Sequence, residues 1–243
     1  MTREKVEVVE VSARDGIQNE RTILSTEDKV SLLRRARDAG LARQEVTSFV
    51  NPKRVPQMAD ADAVAAAVPA GITSIGLTLN RRGHARAVAS GMDEANAVVV
   101  ASDTFNRRNQ GVGTEETLAA IAEILAGDAP IRTGVAVAAA FGCPFEGEVS
   151  VARLMSVVEA VMAAEPAELS LADTIGVATP RDITERVGAV RAAFPDVPLR
   201  LHLHNTRGTG LANAWAGIEA GIDALDSSLG GVGGCPFAPN ATG

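Results

Sequence analysis

Short runs of β-branched and small apolar residues alternate along the chain with longer segments whose apolar positions recur at helical spacing. The strand-like runs fall at 6–11, 44–48, 73–78, 97–101, 132–138, 168–171, 199–204 and 224–228. Helical patterns between them cover 26–39, 60–68, 82–90, 114–126, 151–163, a segment opening at Thr179-Pro180, and 209–220. Ser25 is placed to cap the first helix, which Gly40 ends, and Thr179 before Pro180 reads as a cap with proline in the first turn. Strict alternation predicts a parallel sheet, because parallel neighbours need a crossover of about a dozen residues or more. Eight strands favour closure into an α/β (β/α)8 TIM barrel. An open doubly wound sheet would carry a glycine fingerprint after its first strand, where Ser12-Ala13-Arg14-Asp15-Gly16 stands instead.

A length of 243 residues suits one catalytic barrel domain over 1–243. The chain reaches Gly243 soon after Gly233-Gly234-Cys235-Pro236, so the expected barrel lacks its last helix and the C-terminal helical region. Aromatic residues make up only 3% and tyrosine is absent, so packing must rest on small and β-branched side chains. A net charge of −7 with no Lys/Arg cluster argues against nucleic acid as a partner. No apolar run approaches the roughly 18 residues of a membrane span, and the first residues have no secretory pattern. A cytoplasmic protein is expected. Cys143 and Cys235 fall in no Cys-x-x-Cys pair, which indicates neither a disulfide framework nor a structural zinc site.

In such a barrel, polar residues at the carboxyl ends of strands are the first functional suspects. Leu201-His202-Leu203-His204 ends the seventh strand, and the two-residue period turns both imidazoles to one side. They suit either a shared metal ion or two half-buried histidines bonded to neighbours. The remaining histidine, His84, falls in a helix expected at the surface. Asp15, after the first strand, can join His202 and His204 on a cation such as Mg²⁺ or Mn²⁺, or cap a turn with Gly16. Arg14 offers a fixed positive charge for a carbonyl or enolate oxygen, or a salt bridge to Glu45. A carboxylate inside the second strand, as Glu45 is, needs such a partner. Asp173 ends the sixth strand as a substrate contact or a turn residue. The loop 230–236 is rich in glycine and carries Cys235, a general acid or base if the loop closes over substrate and an inert thiol otherwise. Gly142-Cys143-Pro144-Phe145 echoes Gly234-Cys235-Pro236-Phe237 on the same expected face.

Together, segments 9–20 and 45–53, Phe141-Gly142-Cys143-Pro144-Phe145-Glu146-Gly147, Leu171-Ala172-Asp173-Thr174-Ile175-Gly176, His202-Leu203-His204-Asn205-Thr206 and Gly233-Gly234-Cys235-Pro236 resemble the 3-hydroxy-3-methylglutaryl-CoA lyase family over nearly the whole chain. The resemblance implies that Asp15, His202 and His204 bind the metal and that Arg14 stabilises the substrate oxygen and the enolate. It further implies that Cys235 acts from a mobile loop with contributions from Glu45 and Asp173, and that Gln18, Thr174, Arg14 and Asp173 meet the substrate. The implied reaction is cleavage of a CoA thioester to acetyl-CoA and acetoacetate, as in leucine degradation and ketone-body metabolism, by a homodimer. Two departures stand out. The family's Gly-Asn pair, a further metal ligand, would begin at Gly243, with Asn240 out of register; and Asn205 and Arg207 replace the family's more usual residues, which opens the acyl specificity to larger analogues. Rival expectations are a Claisen-type synthase or a 4-hydroxy-2-oxo-acid aldolase, against which the Gly-Gly-Cys-Pro loop speaks, and a catalytically silent barrel.

Overall fold

The computed structural model describes residues 5–234. Eight parallel strands close into a barrel in sequence order: β1 (Glu7–Glu10), β2 (Arg43–Ser48), β3 (Thr73–Thr78), β4 (Glu94–Val100), β5 (Arg132–Ala138), β6 (Leu169–Asp173), β7 (Leu199–Leu203) and β8 (Ala224–Ser227). β1 closes the ring on β8, with Val8 opposite Leu225 and Val9 opposite Asp226. The helices between strands are α1 (Thr26–Asp38), α2 (Ala61–Ala66), α3 (Arg81–Ala89), α4 (Asp103–Gln110), α5 (Thr114–Leu125), α6 (Val151–Met162), α7 (Pro180–Ala193) and α8 (Gly210–Glu219). The caps form as the sequence indicates. Ser25 accepts from the Asp28 N–H, and Thr179 and Asp182 make a reciprocal capping box around Pro180.

Two expectations need correction. The β4–α5 connection holds an additional helix, α4, so eight helices rather than seven lie among the described residues. Its polar run Asp103-Thr-Phe-Asn-Arg-Arg-Asn-Gln110 shows little apolar period, and it is fixed by the Ser102 cap and the buried Asn106, whose side chain bonds Val100, Val112 and Thr117. His84, expected on a surface, is buried on α3 with Nε2 3.0 Å from Thr133 Oγ1. The expected lack of a final helix concerns residues outside those described.

Most of the apolar core lies between strands and helices. Val99, Val135, Val137, Leu169, Leu171, Leu199 and Leu201 point outward onto Leu154, Val157, Val158, Ile183 and Val187 of α6 and α7. The alternate strand positions, which face the lumen, carry charged residues among small and apolar ones, Val9, Val11, Ile75 and Ala224 forming a buried apolar cluster there. Arg43 pairs with Glu7, Glu94 and Glu168, Arg132 reaches Glu94, and Arg200 lies within ion-pair distance of Glu168 and Asp226. Ion pairs therefore rise through the barrel from its amino-terminal mouth towards the strand ends where β1, β2, β7 and β8 converge.

Candidate active site

The chain leaves β1 in one π-helical turn, Ser12–Gly16, in which the Asp15 and Gly16 N–H groups both donate to the Val11 carbonyl. In a strand, consecutive residues would point to opposite faces; this tight turn instead brings Arg14 and Asp15 to the same end of the barrel, a use for which π turns are known. Gly16 is packed so closely that an added Cβ would lie 2.8 Å from Val232 Cγ2 and 3.1 Å from Ser228 Oγ. The β1 and β8 loops are thus in contact, and Asn19 ties them further by donating to the Gly234 carbonyl at 2.7 Å.

Arg14 Nε donates to Glu45 Oε2 at 2.6 Å, Nη2 makes a second contact with the same oxygen, and Nη1 donates to Asp15 Oδ1 at 2.7 Å. The expected pairing of Arg14 with Glu45 is present, and Asn96 donates to the other Glu45 oxygen at 3.4 Å. Burial opposes charge on Arg14, but the flanking carboxylates outweigh it and raise its pKa. Asp15 is likewise opposed by burial, yet Arg14 and the two imidazoles hold its carboxyl below the ordinary range.

Asp15, His202 and His204 offer ligand atoms that all lie within 4.8 Å of one another. His202 Nε2 is 3.2 Å from His204 Nε2 and 3.7 Å from Asp15 Oδ2. Two imidazole nitrogens and a carboxylate oxygen converging on one point fit a divalent cation, since lone pairs at that separation repel unless a proton or a cation stands between them. Burial lowers the His202 pKa, but the hydrogen bond to Asp226 and the charge of Asp15 more than offset this and raise it.

Asp226, on β8, is a site residue that the sequence reading missed. Its Oδ2 lies 2.8 Å from His202 Nδ1. Burial pushes its carboxyl pKa up, but Arg200 and His202 bring it below the ordinary value. The signal available in the sequence was an acidic residue inside a strand, Ala224-Leu225-Asp226-Ser227, the same argument that singled out Glu45.

Asp173 is buried at the end of β6, and its two carboxylate oxygens each accept a backbone N–H, from Val177 and Ala178, at 3.0 Å. It therefore organises the β6–α7 loop, while burial, only partly offset by those bonds, raises its pKa. Thr174 accepts from the Ala139 N–H at 2.8 Å, bracing a residue with φ of 54°. Gln18 is half-buried just beyond the Arg14-Asp15 turn. Cys235 and the second half of the Gly-Cys-Pro-Phe echo lie outside the described residues. The first half places Cys143 in the interior, its Sγ 3.0 Å from Ser102 Oγ and accepting from the Phe145 and Glu146 N–H groups.

The HMGL-like family profile matches residues 5–242. The chain belongs to the HMGL-like family. Within it, this chain is 41% identical to the (R)-citramalyl-CoA lyase of Chloroflexus aurantiacus, over 99% of its own length and 80% of that protein's. It is 39% identical to the hydroxymethylglutaryl-CoA lyase YngG of Bacillus subtilis, over 98% and 81%. Among solved structures, an HMG-CoA lyase from Acinetobacter baumannii in complex with coenzyme A and 3-methylmalate superposes with a TM-score of 0.94 at 38% identity, covering 100% of this chain and 81% of the other. The expected barrel and the expected lyase family are both borne out, and this HMGL-like chain is a carbon–carbon lyase. No helix among its described residues is long and apolar enough to cross a membrane.

Proposed function

We propose that this lyase cleaves 3-hydroxy-3-methylglutaryl-CoA, or a close 3-hydroxy-3-acyl analogue, with the parent thioester yielding acetyl-CoA and acetoacetate. The observation that carries the reading is the convergence of Asp15, His202 and His204 beside the Arg14–Glu45 pair at the strand ends. These three residues would hold Mg²⁺ or Mn²⁺. When bound, such a cation supplies Lewis-acid polarisation of a substrate oxygen.

The chain's own residues divide the remaining work. Glu45 holds the Arg14 guanidinium in one plane, and Arg14 keeps N–H donors that neither carboxylate uses, available to the oxygen on which charge develops. Asp173, whose carboxyl is shifted towards neutrality by burial, takes the proton of the tertiary hydroxyl. The bond between the hydroxyl-bearing carbon and the α-carbon of the thioester then breaks, leaving a ketone and a thioester enolate. Cys235 delivers a proton to the enolate carbon, completing acetyl-CoA. Gln18 and Thr174 line the approach of the substrate. The reading carries with it a cytoplasmic homodimer.

A second substrate is favoured by one specific observation: the relative from Chloroflexus aurantiacus is named for (R)-citramalyl-CoA. The deciding assay supplies each thioester with Mn²⁺ and follows acetoacetate or the corresponding 2-oxo acid against acetyl-CoA. Cleavage of 3-hydroxy-3-methylglutaryl-CoA with the higher kcat/KM supports the first reading, and a preference for citramalyl-CoA replaces it with the second. Turnover of neither, with condensation of acetyl-CoA and a 2-oxo acid instead, would exclude both.

A further inference from the structure

We propose that Asp226 is the positioning residue of the metal centre: by holding the Nδ1–H of His202 it leaves Nε2 turned towards Asp15 and His204. The sheet register places the two side by side, since Leu201 of β7 pairs with Leu225 of β8 and the next residue on each strand is His202 and Asp226. The contact between Nδ1 and Oδ2 is 2.8 Å. An ionised carboxylate can only accept a hydrogen bond, so the ring proton of neutral His202 must sit on Nδ1, and the lone pair must sit on Nε2. That is the nitrogen 3.2 Å from His204 Nε2 and 3.7 Å from Asp15 Oδ2.

Asp226 is itself anchored. Arg200 Nη1 lies 3.5 Å from Asp226 Oδ1, and Arg200 Nε lies 3.1 Å from Glu168, which also pairs with Arg43 at 2.8 Å. Arg200, itself buried inside the barrel, thus favours by its charge the ionised carboxylate that the tautomer requires. A carboxylate that orients a ligating imidazole is a general device at metal centres, worth about 10–100-fold in metal affinity.

This inference rests on the reading of Asp15, His202 and His204 as metal ligands, and its test separates the two. Histidine-selective ¹⁵N NMR on the metal-free full chain, at the alkaline pH where the His202 shifts stop changing and its ring is neutral, should find the His202 proton on Nδ1, assigned by comparison with His202→Gln. A proton on Nε2 overturns the proposal without any Asp226 variant having to fold. Titration with Mn²⁺ should then find Asp226→Asn weaker by about 10–100-fold, its His202 a mixture of tautomers, and Asp226→Glu recovering part of both. Unchanged affinity and tautomer in Asp226→Asn overturn the proposal and leave the metal reading standing. Failure of the unaltered chain to bind Mn²⁺ at all removes the metal reading, and the positioning role with it.

Discussion

The Nε2 atoms of His202 and His204 face each other across 3.2 Å, with Asp15 Oδ2 3.7 Å from the first of them. With no cation, the arrangement is relieved by a proton on one ring, which is consistent with the raised pKa of His202. Protons and metal therefore compete for the same lone pairs. Mn²⁺ affinity, measured by calorimetry, should rise with pH through a value above the ordinary imidazole range. Metal-free stability has the opposite sign. The His202 contribution, read as the difference in urea midpoint from His202→Gln, should be full below the ordinary imidazole pKa and lost as pH rises through the raised one. Metal affinity independent of pH across that interval would contradict the assignment.

Arg14 is held by two carboxylates, and its roles in structure and chemistry can be separated by the choice of variant. Arg14→Lys keeps the charge but loses the planar fork, so kcat/KM should fall by about 100-fold or more with the fold retained by circular dichroism. Glu45→Ala leaves the buried guanidinium without its main partner and should cost about 3–5 kcal/mol in denaturant unfolding. A stable Glu45→Ala would mean that Asp15 alone satisfies Arg14.

Cys235→Ser should remove most turnover while Mn²⁺ binding, measured in the same preparation, stays at its original affinity. A serine hydroxyl is a far weaker acid than a thiol at neutral pH, so proton delivery fails and assembly of the centre does not. Unchanged turnover would take Cys235 out of the mechanism.

The close approach of Gly16 to Val232 and Ser228 predicts an effect of a single methyl group. Gly16→Ala places a Cβ 2.8 Å from Val232 Cγ2, so the Val232 side chain or the β8 loop that carries it has to shift. Displacement by about 1 Å can cost on the order of 100-fold in rate. The loss should appear in kcat, with Asn19→Ala producing a milder version by releasing the Gly234 carbonyl. Wild-type kcat in Gly16→Ala would show that the two loops do not act together.

Much of this was legible from the order of residues, for identifiable reasons. β5 carries Val135-Ala136-Val137-Ala138 as an uninterrupted run, β3 sets Ile75 and Leu77 at alternate positions between Thr73 and Thr78, and both strands begin and end where the pattern does. The Arg14–Glu45 pair followed from the cost of an isolated carboxylate in a strand. β4 was harder. Glu94-Ala95-Asn96 reads as a polar approach to a strand beginning at Ala97, yet Glu94 and Asn96 are already within it, facing a lumen that supplies Arg43, Arg132 and Glu45 as partners. Asp226 was overlooked for the same reason, because its partners His202 and Arg200 come from another strand. α4 escaped because buried hydrogen bonds from Asn106 hold it in place of an apolar stripe. His84, expected in a surface helix, is instead buried, with the Thr133 hydroxyl meeting its Nε2.

The ion pairs inside the lumen have a thermal consequence. A barrel interior filled by branched aliphatic side chains contributes a large heat-capacity increment on unfolding, whereas exposing polar surface subtracts from it. The desolvation penalty of buried ions also falls on warming, because ion hydration has a strongly negative entropy. A lumen held by Arg43, Arg200, Glu94, Glu168 and Asp226 should therefore give this barrel a flatter stability curve than an aliphatic one of equal length, with less strength to lose at either end of the temperature scale.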